Sequence, residues 1–287
     1  MRIHRVQNGM LQLLSWLLLR GNYHPTTLVG STILLLLFTT ALCAPWLAPF
    51  DPVTIDPQQA RLLSSWQHLL GTDYAGRDIF SRLLHSIRLA YWGGFLAILI
   101  MISFGTAVGV GAGYAGGWVD NIAMRVVDLW MALPGLLFLL VMVAILGTGL
   151  YQVLLAVGLA GIPAYARLVR GMTLHQKQQP HIEAAKAIGA TNRRVMLRHI
   201  VPNMILPLST YLATSFGNAI LAAGTLGFIG LGGDPSIPEL GQLLQDGRDT
   251  MNQLWWPILG PIVVLYLTML GANLISDGVA ESNTLLP

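Results

Sequence analysis

The chain has 287 residues, of which 54% are hydrophobic and only 10% are charged. Soluble domains carry about 25% charged residues, so this composition excludes an ordinary soluble protein and indicates a membrane protein. The formal net charge of +3 does not indicate a nucleic-acid-binding protein, because the basic residues cluster at the ends of apolar runs and no polar domain holds a basic face. The single cysteine, Cys43, excludes a disulfide within the chain.

The first segment, residues 1–24, combines Arg2 and Arg5 with a run of ten mainly apolar residues that is followed by Arg20. A cleaved signal peptide has a small-residue cleavage site after such a run, and none is evident here. We therefore predict an interfacial helix on the cytoplasmic membrane surface, with a cleaved signal as the alternative.

Apolar runs predict the membrane spans, since a spanning helix needs about 20 mainly apolar residues. Six stretches meet this requirement: residues 27–48, 89–113, 124–146, 150–170, 204–228 and 255–276. The first transmembrane helix is predicted to begin just before its apolar stretch and to cover residues 25–48. The glycines of the second span favour close helix packing. Pro134 predicts a kink inside the third. The predicted fold is an all-α polytopic membrane protein with six transmembrane helices in one membrane domain.

The distribution of basic residues predicts the orientation. With a cytoplasmic N-terminus, 11 of the 16 lysines and arginines lie on the cytoplasmic side and 5 lie outside. The positive-inside rule therefore favours two cytoplasmic termini, including a short C-terminal tail at 280–287. Residues 49–88 and 229–254 then face outward, while residues 171–203 form a cytoplasmic loop.

The cytoplasmic loop has its own local signals. Pro180 suits the first position of a helix, where its missing N–H would be unpaired anyway. Gly189 suits the end of that helix, and a second short helix is expected over residues 191–199, with Pro202 at the entry to the next span. Such a helix–turn–helix could dock a cytoplasmic partner or be an ordinary solvated loop, and the residues alone favour neither.

Four stretches together resemble the permeases of ABC importers, in the peptide and nickel branch. The stretch "EAAKAIGATNRRVMLRHIVPN" (183–203) resembles the EAA loop of that family. The others are "HLLGTDYAGRDIFSRLL" (68–84), "YARLVRG" (165–171) and "LGFIGLGGDPSIPELGQLLQDGR" (226–248). The resemblance covers residues 25–279 and implies the type I importer permease fold, with a permease core over 89–279.

The resemblance implies a permease subunit of an ATP-driven, binding-protein-dependent importer in the bacterial inner membrane, for peptides, nickel or metal chelates. Its partners would be a second, non-identical permease, two ATPase subunits and an extracytoplasmic solute-binding protein. The residues implied in coupling to the ATPase are Glu183, Ala184, Ala185, Gly189, Arg194, Ile200 and Pro202. The residues implied in docking the binding protein are Asp73, Arg77, Asp78, Gly241 and Arg248.

The sequence lacks the motifs of an energy-converting or catalytic protein. Neither lysine follows a glycine, so a standard phosphate-binding P-loop is absent, and ATP and Mg²⁺ would be bound by the partner ATPase. No catalytic motif and no metal site are evident. An ion-coupled secondary transporter, the alternative function, would need a buried titratable group. The deepest acid, Asp128, is expected to pair with Arg125 on the same helix.

Away from the ends of the predicted spans, polar residues are few and uncharged. Thr106, Thr148, Thr214 and Asn218 indicate a weakly polar path rather than a tight site. A tight nickel site would need several converging imidazole, thiolate or carboxylate ligands. Substrate selection is therefore expected in the external binding protein.

Overall fold

The computed structural model describes residues 25–251 and 255–284. Over these ranges the chain is helical apart from loops and one isolated bridge between Thr72 and Asp78. This confirms the all-α prediction, whereas the interfacial helix expected for residues 1–24 lies outside the described residues.

The α-helices, numbered here in chain order, are α1 Pro25–Leu47, α2 Ile79–Ala115, α3 Gly117–Met131, α4 Gly135–Leu146, α5 Leu150–Lys177, α6 Pro180–Ala187, α7 Asn192–Val195, α8 Val201–Phe228, α9 Leu240–Thr250 and α10 Leu259–Thr284. Short 3-10 turns lie at Pro57–Gln59 and Trp256–Ile258. A π-helical turn at Met196–Ile200 joins α7 to α8.

The third predicted span differs from expectation. Within the described residues, five helices are long and apolar enough to cross a membrane, and the number is six if α3 and α4 together form one span. These two helices meet at 89°, so a single kinked helix over residues 124–146 is wrong. Pro134 has an extended backbone with ψ of 132°, and a proline also disfavours helical geometry in the residue before it. The chain therefore turns a corner here.

The helix α2 begins ten residues before the apolar run that predicted it. Asp78 caps it, because the Asp78 carboxylate accepts a hydrogen bond from the Ser81 backbone N–H at 2.7 Å. Its first turns carry polar residues that are buried by the loops over residues 49–88 and 229–254, called the outward loops here after their predicted orientation. Hydropathy alone does not register this burial. With 37 residues, α2 is about 55 Å long at 1.5 Å per residue.

Glycines set the packing of α2 against α5, as the sequence predicts. A Cβ atom added to Gly109 would lie 2.5 Å from the Ala166 carbonyl oxygen, and one added to Gly105 would lie 2.6 Å from the Tyr165 ring. Both distances are below van der Waals contact, so only glycine allows this approach. The two helices form the central pair of the bundle.

The helix α10 holds α1 at the edge of the bundle and also packs against α8. A Cβ atom added to Gly30 on α1 would lie 2.6 Å from the Gly271 carbonyl oxygen of α10, so this contact is also set by small residues. The helix α10 runs on to Thr284, and the first part of the expected tail at 280–287 is therefore helical.

Candidate functional site: a capped helical corner and a buried outward cluster

The helix α6 has the local chemistry that the sequence predicts at both ends. Pro180 occupies its first turn. At the other end, Gly189 has a φ of +84°, which L side chains rarely adopt. The Gly189 N–H donates to the Lys186 carbonyl at 2.9 Å, and the Ala190 N–H donates to the Ala185 carbonyl at 3.0 Å. This pair of bonds is a Schellman cap, so the predicted capping role of Gly189 is confirmed.

The second helix of the loop does not end at His199 as expected. Thr191 caps α7, and the chain then passes through the π turn into α8, giving one apolar helix over Asn192–Phe228. The Val201 N–H donates to the Met196 carbonyl, five residues back. This wider turn lies directly before Pro202, whose ring would clash with the preceding turn of a regular α-helix. The widened turn explains how the helix continues through the proline.

The apolar face of the corner anchors it to the bundle. Ile182 on α6, Val195 on α7 and Ile200 in the π turn are fully buried and pack with Tyr165 and Val169 of α5. Two of the predicted coupling residues, Ala185 and Ile200, are therefore buried within this chain. The predicted coupling residues that remain exposed are Glu183, Ala184, Gly189, Arg194 and Pro202.

The exposed face of the corner is apolar at its tip and basic around it. Ile188, next to Gly189, is 88% exposed, and Leu197 is 60% exposed. The surrounding exposed charges are Glu183, Lys186, Arg193, Arg194 and Arg198. An exposed aliphatic tip close in sequence to exposed charges has the composition of a protein interface, which combines apolar and polar residues. A lipid-facing surface would not carry this density of charge.

On the side of the bundle that is predicted to face outward, two buried arginines hold separate loops together. Arg77 donates from Nε to Asp73 Oδ2 at 2.6 Å and from Nη1 to the Pro235 carbonyl at 3.1 Å. Arg82, fully buried on α2, donates to the carbonyls of Pro52, Pro235 and Ser236 at 3.0, 3.1 and 3.2 Å. These bonds connect residues 49–88 to residues 229–254.

Four of the five residues predicted to dock a binding protein are internal in this structure. Asp73, Arg77 and Asp78 are at most 6% exposed. Gly241 is also buried: a Cβ atom there would lie 2.5 Å from the Gly224 carbonyl oxygen, so glycine lets α9 cross the end of α8. These four residues lie beneath the surface and support it. Of the five, only Arg248 is exposed.

Two buried charges escaped the sequence analysis. Arg82 is one of the five basic residues outside the predicted cytoplasmic side, and its burial has no signal in the sequence. Glu239, which precedes α9, is 6% exposed, and its Oε1 has no hydrogen-bond partner within the described residues. Burial raises the Glu239 pKa to about 7. Glu239 thus lies in a loop and not inside a span, but it is buried there.

The acids of α3 pair with α5. Asp128 forms an ion pair with Arg167 and not with Arg125 as expected. The Arg170 guanidinium holds Asp120 through two bonds, Nε to Oδ1 at 2.5 Å and Nη2 to Oδ2 at 2.6 Å. The bend after α3 lets α3 lie across α5. Arg167 of α5 therefore pairs with Asp128 in place of Arg125, which lies three residues away on α3 itself.

The expected polar path is only partly gathered. Thr106 lines a groove of about 460 Å³ between α2, α5 and α8, while Asn218 lines a second groove of about 250 Å³ beside Ser215. Thr148 and Thr214 line neither groove. Within the described residues there is no group of three or more histidine, cysteine, aspartate or glutamate side chains that could hold a metal ion.

Known proteins share both the sequence and the fold. Residues 102–282 match the family described as "Binding-protein-dependent transport system inner membrane component", and residues 23–64 match the "N-terminal TM domain of oligopeptide transport permease C". The chain is 36% identical over 261 residues to the dipeptide transport system permease protein of Haemophilus influenzae, covering 89% of this chain and 88% of that protein. It is 38% identical over 256 residues to the glutathione transport system permease protein of Shigella dysenteriae, covering 89% and 84%.

Solved structures agree on the fold. A chain of the methionine ABC transporter in an inward-facing conformation matches with a TM-score of 0.54 and 18% identity, covering 70% of this chain and 97% of that one. The family match spans well over half of the sequence, and the helices provide the multiple spans that it requires. The chain therefore belongs to the family of binding-protein-dependent transport system inner membrane components and is a multi-pass permease subunit of an ABC importer in the inner membrane.

Proposed function

We propose that the corner between α6 and α7 is the contact through which a separate ATPase subunit drives this permease. The observation that supports the proposal most strongly is Ile188, which is 88% exposed at the tip of a Schellman-capped turn. The cap fixes the tip, and buried Ile182, Val195 and Ile200 fix the corner to the bundle. A rigid apolar knob of this kind fits a groove in another protein and carries force back into α5 and α8.

The complete importer would contain a second, non-identical permease, two ATPase subunits and an extracytoplasmic binding protein. The translocation path would run between the two permeases, since the grooves that the described residues form are open to the surface and not enclosed. ATP-driven closure of the ATPase pair would bring the two coupling corners together and reorient the helices by rigid-body motion. The relative positions of the two outward loops, fixed by Arg77 and Arg82, would provide the surface for the binding protein.

Short peptides are the substrate class that we propose. The relatives named above act in dipeptide and glutathione transport, and both are short peptidic solutes with polar ends. The weakly polar grooves beside Thr106 and Asn218 suit a solute that passes through without being held. These relatives give no comparable argument for nickel or metal chelates, which are the other members of the expected substrate class. The ion-coupled alternative has no support from the relatives, which are ABC importer permeases.

The decisive experiment is reconstitution of this permease with the second permease, the ATPase subunits and the binding protein. Substrate-loaded binding protein should stimulate ATP hydrolysis, and labelled dipeptides or tripeptides should enter the vesicles only when ATP is supplied on the cytoplasmic side. Equilibrium binding of the same peptides to the permease pair alone should be weaker than about 1 μM, equivalent to −8 kcal/mol. Uptake driven by an ion gradient without ATP would refute the proposal.

A further inference from the structure

The side chain of Tyr114, in the last turn of α2, contacts three separate elements of the cytoplasmic segment. Its phenol O–H donates to Asn192 Oδ1, in the first residue of α7, at 2.7 Å. Its backbone carbonyl accepts a hydrogen bond from Lys177 Nζ, in the last residue of α5, at 2.7 Å. The ammonium of Lys186, on α6, lies 5.5 Å from the centre of its ring. One residue thus joins the end of α2 to α5, α6 and α7.

Two positively charged side chains lie beside the Tyr114 ring. The chain contains two lysines, and both ammonium groups lie against Tyr114, since Lys177 Nζ is 5.4 Å from the ring centre. Cation–π attraction operates within about 6 Å of the ring centre, so both ammonium groups are within its range. The contacts of Tyr114 therefore orient the charged side of α6 as well as the first turn of α7.

The opposite end of α2 belongs to the outward cluster. Asp78 caps α2 and Arg82 connects it to the outward loop at Pro235 and Ser236. Between the two ends, close glycine contacts such as that of Gly109 hold α2 against α5. One helix of 37 residues thus runs without a break from the outward loops to Tyr114.

We propose that Tyr114 is a positioning residue that links α2 to the coupling corner, so that the outward ends of the bundle and the ATPase-facing tip move together. This inference rests on the proposed function of the corner as the ATPase contact. The phenol bond to Asn192 and the ring contact to Lys186 fix the direction of α6 and α7 relative to α2. Loss of these contacts leaves the buried anchors of the corner in place but allows the tip to move independently of α2.

The test compares basal and stimulated ATP hydrolysis in the reconstituted importer. Tyr114→Leu removes the ring and the hydroxyl, Tyr114→Phe removes the hydroxyl only, and Asn192→Ala removes its acceptor. Tyr266→Leu is the matched control, since Tyr266 on α10 is 63% exposed. We expect assembly and basal hydrolysis within about twofold of wild type. Stimulation by loaded binding protein should fall about fivefold or more in Tyr114→Leu, the lower end of coupling between distant sites, and be unchanged in Tyr266→Leu.

A merely structural role would lower the amount of complex and leave stimulation per complex unchanged, and this result would overturn the inference. If Tyr114→Leu fails to assemble, Tyr114→Phe and Asn192→Ala decide, because both keep the ring. Their losses of stimulation should then be equal and should not add in the double variant, whereas no loss in either would overturn the inference. A wild-type permease that never associates with the ATPase would refute the proposed function itself, and the inference with it.

Discussion

Arg82 Nη2 donates to the Pro235 carbonyl at 3.1 Å across 153 positions of sequence. The guanidinium is fully buried and reaches two further carbonyls, at Pro52 and Ser236. A single side chain at the start of α2 therefore fixes two outward loops relative to each other. In the proposed importer, such a fixed surface would allow a binding protein to transmit its loaded state to the helices.

We expect Arg82→Met to destabilise the folded permease by about 3 kcal/mol or more, because three backbone carbonyls and the buried Asp73 lose the charged partner that Arg82 provides. The Tm of the purified protein in detergent should fall, and stimulation by binding protein should be lost. Arg88→Met is the matched control, since Arg88 lies on the same helix and is exposed. Equal Tm values for the two variants would contradict the internal role of Arg82.

Substitution at Gly189 tests the coupling corner. The positive φ of this residue makes Gly189→Glu costly by about 1–2 kcal/mol locally, and the new charge lies beside the Ile188 tip. The permease should reach normal membrane levels but lose ATPase association and transport. Gly189→Asn is the matched control, because asparagine tolerates this conformation and preserves the cap. Full transport by Gly189→Glu would remove the corner from the mechanism.

A second substitution separates the cap from the apolar tip. Ile188→Glu leaves Gly189 and its two hydrogen bonds unchanged but places a charge where the exposed aliphatic group would enter a partner. Co-purification with the ATPase should fall at least as far as in Gly189→Glu, since a buried unpaired charge costs several kcal/mol. Ala187→Glu, exposed on the preceding residue, is the control for charge alone. If the two glutamate variants behave alike, the tip has no special role.

Glu239 should make the stability of the outward side depend on pH. Its pKa is raised from 4.5 to about 7 by burial, so the folded state binds the proton more tightly than the unfolded state. The resulting stabilisation is complete below about pH 4.5 and is lost as the pH rises through about 7. Its upper limit is about 3 kcal/mol, which solvent screening on the outward face reduces.

Glu239→Gln should therefore remove the dependence on pH, and its Tm at pH 8 should be higher than that of the wild type. Measurements of Tm at pH 5, 6, 7 and 8 on both proteins test this expectation. Asp234→Asn is a suitable control, since Asp234 is exposed in the same loop. A wild-type Tm that rises between pH 5 and pH 8, relative to Glu239→Gln, would contradict the assigned sign.

The predicted orientation is open to a direct test by cysteine labelling in a Cys43→Ala background. Single cysteines at Ser64 and Ser236, both exposed, should react with a membrane-impermeant maleimide in intact spheroplasts. A cysteine at Gln178, exposed at the end of α5, should react only after permeabilisation. Labelling of position 178 from outside would reverse the topology.

The sequence by itself determined the helices and helix ends that depend only on residues close together in the chain. Run length and hydropathy predict the apolar helices, and Pro180 and Gly189 predict the two ends of α6, because capping depends on residues within one turn. The EAA-like stretch predicts the family for the same reason, as its spacing is written along one segment of chain.

Only the tertiary structure decided which helix lies opposite each charge. Spacing along one helix favours Arg125 as the partner of Asp128, but the 89° bend between α3 and α4 brings Arg167 to it instead. The burial of Arg82 and Glu239 also depends on distant loops that cover them. The free energy of a charge is set by the groups around it in space, and sequence spacing identifies those groups only when they lie on the same helix.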